Sequence, residues 1–290
     1  MFFQSFYEFL YVEYYVFKTV IFGCFSPYFG YNENNMKENK TIHPLTDIIY
    51  RMATIFNELG FSFVDGPELE TEHYNFDTLN VPKDHPARDM QDTFWTKPWN
   101  TDGLNYLMRT QTSAVQVRYM EKNQPPFRVF SIGKVYRQEA SDATHDMQFN
   151  QMEGLYIAKK VSMADLKATV NQIFDKFFER DINVRFRPSF FPFVEPGAEV
   201  DVTCFKCGGQ SSEGCNICKG TGWIEVGGAG MVHPNVLKSA GIDSNEWQGF
   251  AFGFGVERFI MTKYGVDDIR LISNGDLRVI NQFEIKTISD

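Results

Sequence analysis

Five side chains between Phe127 and Ile157 are of types that could do chemistry together: Arg137, Glu139, Phe149, Gln151 and Glu153. Two runs of alternating pattern, Phe127 to Glu139 and Gln148 to Ile157, flank a polar loop, which predicts an antiparallel hairpin. Side chains on a strand repeat every second residue. Arg137 and Glu139 therefore share one face of the first run, and Phe149, Gln151 and Glu153 share one face of the second. With those faces together, one patch displays a guanidinium, two carboxylates, an amide and an aromatic ring. A solvated polar sheet face is the ordinary alternative.

Other segments add groups of the same kind. The run LNYLMRTQTSAVQVRYM reads as a strand entering a helix near Thr112. A helix N-terminus suits a carboxylate or phosphate, although a simple cap explains Thr112 and Ser113 equally well. GFAFGFGVERFIMTKYG reads as a strand entering a helix through Gly253 and Gly255, with Gly265 as its stop. Arg258 then falls in the first helical turn, where an arginine can stack on a purine, reach a triphosphate, or simply sit at the surface. VRFRPSFFPFVEPGAEVD, Val184 to Asp201, reads as a strand punctuated by prolines. Phe191 and Phe193 point the same way on it, able to grip a third ring edge to face, and Glu195 shares their parity.

Cys204, Cys207, Cys215 and Cys218 are spaced Cys-x2-Cys-x7-Cys-x2-Cys, with Gly208, Gly209, Gly214 and Gly220 to permit the turns. That is what a tetrahedral zinc site with four thiolates needs, and with no open position its role is structural. The pairs are also similar to the Cys-Gly knuckles of DnaJ-type chaperones, but one copy in a strand-rich domain reads as a clip on an insertion at about 203–222. Cys24 has no nearby partner. In TGWIEVGGAGMVHPNVL, Glu225 and His233 are weaker candidates for ligand contact than the glycines are for close backbone approach. His73 and His85 acquire no role.

The elements that must hold these groups are legible from periodicity. Leu45, Ile48, Ile49, Met52, Ile55, Phe56 and Leu59 follow helical spacing until Gly60 stops the run. Ser162 with Asp165 forms a capping box ahead of a helix whose Leu166, Val170, Ile173, Phe174, Phe177 and Phe178 mark a buried face. A chain of 290 residues with 43% hydrophobic content can fill a core. Its net charge of −9 argues against a whole-surface nucleic-acid footprint, so an RNA partner needs a local basic patch or another subunit's surface. The close cysteine pairs point to metal binding in a reducing cytoplasm. Residues 1–40 are expected to be an aromatic-rich extension, poorly ordered or started too early, because Met36 opens a polar stretch. Charges at Glu8, Glu13 and Lys18 argue against a signal peptide or membrane span there.

The hairpin stretch, FRVFSIGKVYRQEASDATHDMQFNQMEGLYI, resembles motif 2 of class II aminoacyl-tRNA synthetases, in the form found in the alpha subunits of bacterial phenylalanyl-tRNA synthetases. GPELETEHYNFDTLNVPKDHPARDMQDTFW resembles their motif 1 region, and GFAFGFGVERFIMTKYG their motif 3, so the resemblance runs from Thr41 to about Phe283. It implies an α+β class II catalytic fold, a mainly antiparallel sheet flanked by helices, over residues 41–290 with the zinc knuckle inserted. It implies ATP-dependent attachment of L-phenylalanine to tRNA(Phe) through an adenylate. In that reading Arg137 binds the α-phosphate, Glu139 supports the adenine amino group, Phe149 stacks on adenine, His145 reaches the phosphates and Arg258 holds the nucleotide from the other side.

The amino acid falls to another set. Gln111 and Ser113 line its site, Gln151 and Glu153 take its ammonium, and Phe191, Phe193 and Ala251 hold its ring. Glu195 matches a magnesium ligand, and many but not all relatives carry a zinc insert. The implied partner is a beta subunit, two of each chain. The members' usual N-terminal helical arm would need a sustained heptad pattern that is missing here. Two other readings, a synthetase for another amino acid and a non-catalytic zinc-bearing RNA-binding paralogue, are disfavoured respectively by Phe191-Pro192-Phe193 with Ala251 and by the retained Arg137, Glu139 and Arg258.

Overall fold

A computed structural model describes residues 42–88, 93–96, 103–178, 182–210, 214–215, 217–273 and 275–283. The expected extension at 1–40 lies outside the described residues. The chain runs α1 (Pro44–Glu58), β1 (Ser62–Phe63), β2 (Leu69–Thr71), β3 (Tyr106–Met108), α2 (Ser113–Met120), β4 (Phe127–Tyr136) and β5 (Gln148–Ala158). It continues through α3 (Met163–Phe178), β6 (Val184–Pro188), β7 (Val194–Thr203), β8 (Trp223–Val232), α4 (Pro234–Ser239), β9 (Gln248–Gly255) and α5 (Val256–Tyr264). A seven-stranded sheet of order β1-β4-β5-β9-β8-β7-β6 forms the centre, antiparallel except where β1 lies parallel to β4. The α+β class and the mainly antiparallel sheet are as expected from the sequence.

Both faces of this sheet are covered, which is why its strands read as dense apolar runs. On one face Phe130, Met152, Phe250, Phe252 and Phe254 pack against α1, α3 and α5. Phe56 of α1 stacks on Phe130 with ring centroids 4.6 Å apart and on Phe252 at 5.9 Å. Truncating such a buried ring costs roughly 3–5 kcal/mol. The opposite parity, Val129, Leu155, Ile157 and Ala251, joins a second apolar cluster with Leu107, Val117 and Leu237. Phe149, Gln151 and Glu153 share that second parity, so the polar groups extend an otherwise apolar face towards one end of the sheet.

α1 follows its sequence pattern, with Ile48, Met52, Ile55 and Phe56 buried and the His43 imidazole accepting the Leu45 N–H at its start. The capping box forms as read: the Asp165 carboxylate accepts from the Ser162 N–H at 2.8 Å. Two strand expectations are corrected. The first hairpin strand ends at Tyr136, not Glu139, because β5 starts at Gln148 and the Arg137 N–H already closes onto the Met147 carbonyl. After α1 only the two-residue β1 forms, at the sheet's edge. The run from Val184 to Asp201 is not one strand. It turns back on itself between β6 and β7 at residues 189–193, where Pro192 cannot donate to the ladder and the Ser189 N–H reaches the Gly197 carbonyl.

Candidate active site

Arg137 leaves β4 at the end of the sheet. Its Nε donates to the Thr110 carbonyl (3.2 Å), and its guanidinium carbon lies 5.1 Å from the centre of the Phe149 ring. Glu139 approaches at 4.0 Å. Partial desolvation lowers the arginine's pKa and Glu139 opposes it; the group stays a cation. The loop that follows is organised by Asp142, whose carboxylate accepts from the Thr144 and His145 N–H groups and faces the His145 imidazole at 3.1 Å. Those hydrogen bonds hold Asp142 well below the usual carboxylate range. From α5, Arg258 donates to the Thr144 carbonyl (2.9 Å), tying the loop to the helix that faces it.

Glu153 is buried, registered opposite Ser131, and accepts hydrogen bonds from the hydroxyls of Thr112 (2.6 Å) and Ser113 (2.5 Å). Burial pushes its carboxyl up to about 7, against the pull of those hydroxyls and of Arg109. Thr112 and Ser113 are thus neither a plain cap nor free ligands: they bind the carboxylate. Gln151, two residues along the same face, has its Oε1 buried with no hydrogen-bond partner. A Cβ on Gly253 would stand 2.7 Å from the Gln151 amide nitrogen, so glycine is what lets this side chain cross β9. Gln111 donates to the Asn75 carbonyl (3.3 Å) and reaches the same space.

Arg137, Glu139, His145, Phe149, Gln111, Ser113, Gln151, Glu153, Phe191, Phe193 and Arg258 all line one cleft of about 830 Å³. Its size suits a small-molecule substrate. Phe191 and Phe193 reach it from the turn between β6 and β7, so the strand-parity reasoning for them does not hold. Their rings stack on each other, 5.9 Å apart and 24° from parallel. Gly228 lies under Phe191: a Cβ there would stand 2.9 Å from the ring.

Two expected members are elsewhere. Ala251 does not line the cleft; it is buried in the apolar cluster on which Phe193 packs. Glu195 is 75% exposed, outside the cleft lining, with His233 at 3.3 Å. His233 itself caps α4.

Glu257 was not read from the sequence, although it neighbours Arg258. It is buried, lines the cleft, and accepts from the Asn150 N–H (2.8 Å) and side-chain amide (2.8 Å), joining the first turn of α5 to β5. Burial raises its carboxyl to about 7 against those bonds. Its signal was a lone acid on a helix face of Val256, Phe259 and Ile260. Glu199, Trp223 and Glu225 also line the cleft.

The four cysteines close together in the connection between β7 and β8, with all sulfurs within 4.8 Å of one another. Cys204 and Cys215 sulfurs are 3.8 Å apart and those of Cys207 and Cys218 3.6 Å. A tetrahedron with metal–sulfur bonds of about 2.3 Å has edges of about 3.8 Å, so the cluster can hold a metal ion. The Gly222 N–H donates to the Cys218 sulfur (3.2 Å), as suits a thiolate ligand.

Residues 31–283 match the family described as tRNA synthetases class II core domain (F). The chain is 56% identical over 244 residues to the phenylalanine--tRNA ligase alpha subunit of Bacillus subtilis, covering 83% of this chain and 68% of that protein. It is 54% identical over 241 residues to the protein of the same name from Pelodictyon phaeoclathratiforme, covering 83% and 69%. Among solved structures, the pyrrolysyl-tRNA synthetase of Desulfitobacterium hafniense superposes with a TM-score of 0.59 over 80% of this chain and 74% of that one. At 18% identity that likeness concerns the fold alone.

Proposed function

Because this chain belongs to the class II tRNA synthetases, and within them to the phenylalanine--tRNA ligase alpha subunits, we propose that its cleft makes phenylalanyl-adenylate from L-phenylalanine and ATP and passes the acyl group to tRNA(Phe). Amino-acid activation is an in-line displacement: a carboxylate oxygen bonds to the α-phosphorus, the bond to the bridging oxygen breaks, and pyrophosphate leaves. Such a step needs positioning and charge neutralisation more than proton transfer. Arg137 neutralises the α-phosphate and, with Phe149, offers a flat face to adenine. Glu139 accepts from the adenine amino group, His145 reaches the phosphates, and Arg258 holds the nucleotide from the α5 side. In the second step the terminal ribose 2′-hydroxyl attacks the acyl carbon and AMP leaves.

One observation carries the choice of amino acid: the buried, unpartnered Gln151 Oε1 on the same strand face as the Glu153 carboxylate, in a cleft also lined by the Phe191 and Phe193 rings. Two acceptors and aromatic walls in the same cleft fit an ammonium joined to a ring. Gln111 and Ser113 frame the ammonium end. Ala251 acts from beneath, by leaving room behind Phe193. The cysteine cluster would hold a zinc ion through four thiolates, fixing the β7–β8 connection. Magnesium arrives with the nucleotide as MgATP. Glu195, exposed and beside His233, is poorly placed to hold it in the cleft, and no step is routed through it.

Residues 41–290 form the catalytic domain in this reading, and 1–40 an extension to it. The chain works in the cytoplasm with a beta subunit, two of each. No helix among the described residues is long and apolar enough to cross a membrane. Co-expression with the beta chain from the same source, followed by amino-acid-dependent pyrophosphate exchange and tRNA charging, tests the whole. Phenylalanine should be the preferred substrate of both. Exchange with a different amino acid, or none with an ATP-binding preparation, would overturn the assignment.

A further inference from the structure

The second cysteine knuckle is built into the wall of the cleft. β8 begins at Trp223, but its pairing with β9 starts only at Gly227, opposite Phe254. Residues 223–226 therefore overhang the end of β9, beside the point where the chain turns into α5 and presents Arg258. The knuckle sits on this overhang, fixed by the Thr221 N–H on the Cys218 carbonyl (3.0 Å) and the Cys204 N–H on the Gly222 carbonyl (2.9 Å). Cys218 and Lys219 consequently line the cleft together with Trp223 and Arg258, whereas Gly208 of the first knuckle does not.

The two knuckles also differ in sequence where their backbones agree. Each turns through the left-handed region after its second cysteine: Gly208 (φ 59°) and Gly209 (φ 81°) in one, Lys219 (φ 51°) and Gly220 (φ 84°) in the other. That conformation crowds a β-carbon, so glycine is the less costly residue in both places. Among the described non-glycine residues only Asn80 shares it, and asparagine tolerates it through its short polar side chain. Lysine has no such relief. The strained residue is thus confined to the one knuckle turn that faces the cleft, and it brings an exposed ammonium there.

We infer that Lys219 is a further substrate-contacting residue, whose ammonium binds the terminal phosphates of the nucleotide from the β8 side of the cleft. The inference rests on the proposed reading of the cleft as an ATP site. The sheet order supports the placement. Arg137 follows β4 and Phe149 lies on β5, Arg258 follows β9, and Lys219 precedes β8, all at the same end of adjacent strands. Three cationic groups then bracket a polyanion, the two arginines as fixed forks and the lysine as a mobile point charge at the solvent side, where the leaving pyrophosphate must depart.

Lys219→Gly tests it without disturbing the fold, since glycine relieves the strained backbone. In the full chain co-expressed with its beta subunit, ATP dissociation constants are measured by calorimetry, alongside metal content and the KM values for phenylalanine and tRNA. The expected result is ATP binding weakened about tenfold, with metal content unchanged, phenylalanine KM within about twofold, and partial recovery in Lys219→Arg. ATP binding within about twofold of wild type would overturn the inference, and so would a rise in tRNA KM alone, which would make the lysine an RNA contact. Weakened ATP binding in a preparation whose wild type shows no phenylalanine-dependent exchange would uphold Lys219 while removing the proposed function.

Discussion

Glu153 is held by two hydroxyls and denied water, and the second effect wins, leaving its carboxyl at about 7 in place of 4.5. In the folded protein it keeps a proton that the unfolded chain has already lost between those values. Its contribution to stability is therefore complete below about 4.5 and disappears as pH rises through about 7. Glu257 has the same sign and window. Recognition of an ammonium has the opposite requirement, because only the ionised carboxylate attracts it. KM for phenylalanine should fall as pH rises through about 7 in the wild-type complex. Glu153→Gln should raise that KM by about tenfold, erase its pH dependence, and flatten the fall in unfolding free energy over the same range. A Gln variant retaining the wild-type pH profile of KM would assign the titration to another group.

Among the elements, β8 and the β6–β7 turn depend on one another through a missing side chain. Phe191 leaves the sheet plane in that turn and comes back down onto Gly228, where a Cβ would meet its ring at 2.9 Å. Gly228→Ala should push the ring into the cleft and leave the β4–β5 end alone. The expected outcome is a phenylalanine KM raised by about fivefold or more with ATP KM within about twofold, since forced overpacking costs about 1–3 kcal/mol. Steady-state exchange kinetics measure both, and a change confined to ATP would place the ring of the substrate elsewhere.

Across the whole molecule, α1, α3 and α5 cover one face of the sheet, while the other is apolar at its centre, where Val117 of α2 and Leu237 of α4 pack, and polar towards one end. The four cysteines are continuous with the larger apolar cluster, Cys204, Cys215 and Cys218 being buried in it. A metal ion held there would stabilise more than a loop. Cys204→Ser should abolish stoichiometric metal binding and lower the melting temperature by several degrees, as the loss of about 2 kcal/mol would in a domain of this size. Metal analysis with scanning calorimetry checks both, and full metal occupancy in the variant would mean the cluster is not the site.

The sequence by itself determined the hairpin, the capped helices and the four-cysteine cluster, because each depends on local spacing: period two, period three to four, or paired knuckles; the fold class followed from its resemblance to class II synthetases. It also put Phe149, Gln151 and Glu153 on one face, since parity along an unbroken strand is a local property. Tertiary structure alone decided what lay across a turn or beneath a neighbour. Phe191 and Phe193 reach the cleft from a reversal that parity does not describe, and Ala251, expected at the floor of the amino-acid pocket, is buried in the apolar cluster outside the cleft lining. Glu195 points outward with His233. Thr112 and Ser113 find their partner 41 and 40 residues away in Glu153. The physical reason is common to all four: strand and helix periods fix the direction of a side chain from its own backbone, but which groups meet, and how far water is driven from them, depends on packing between distant segments.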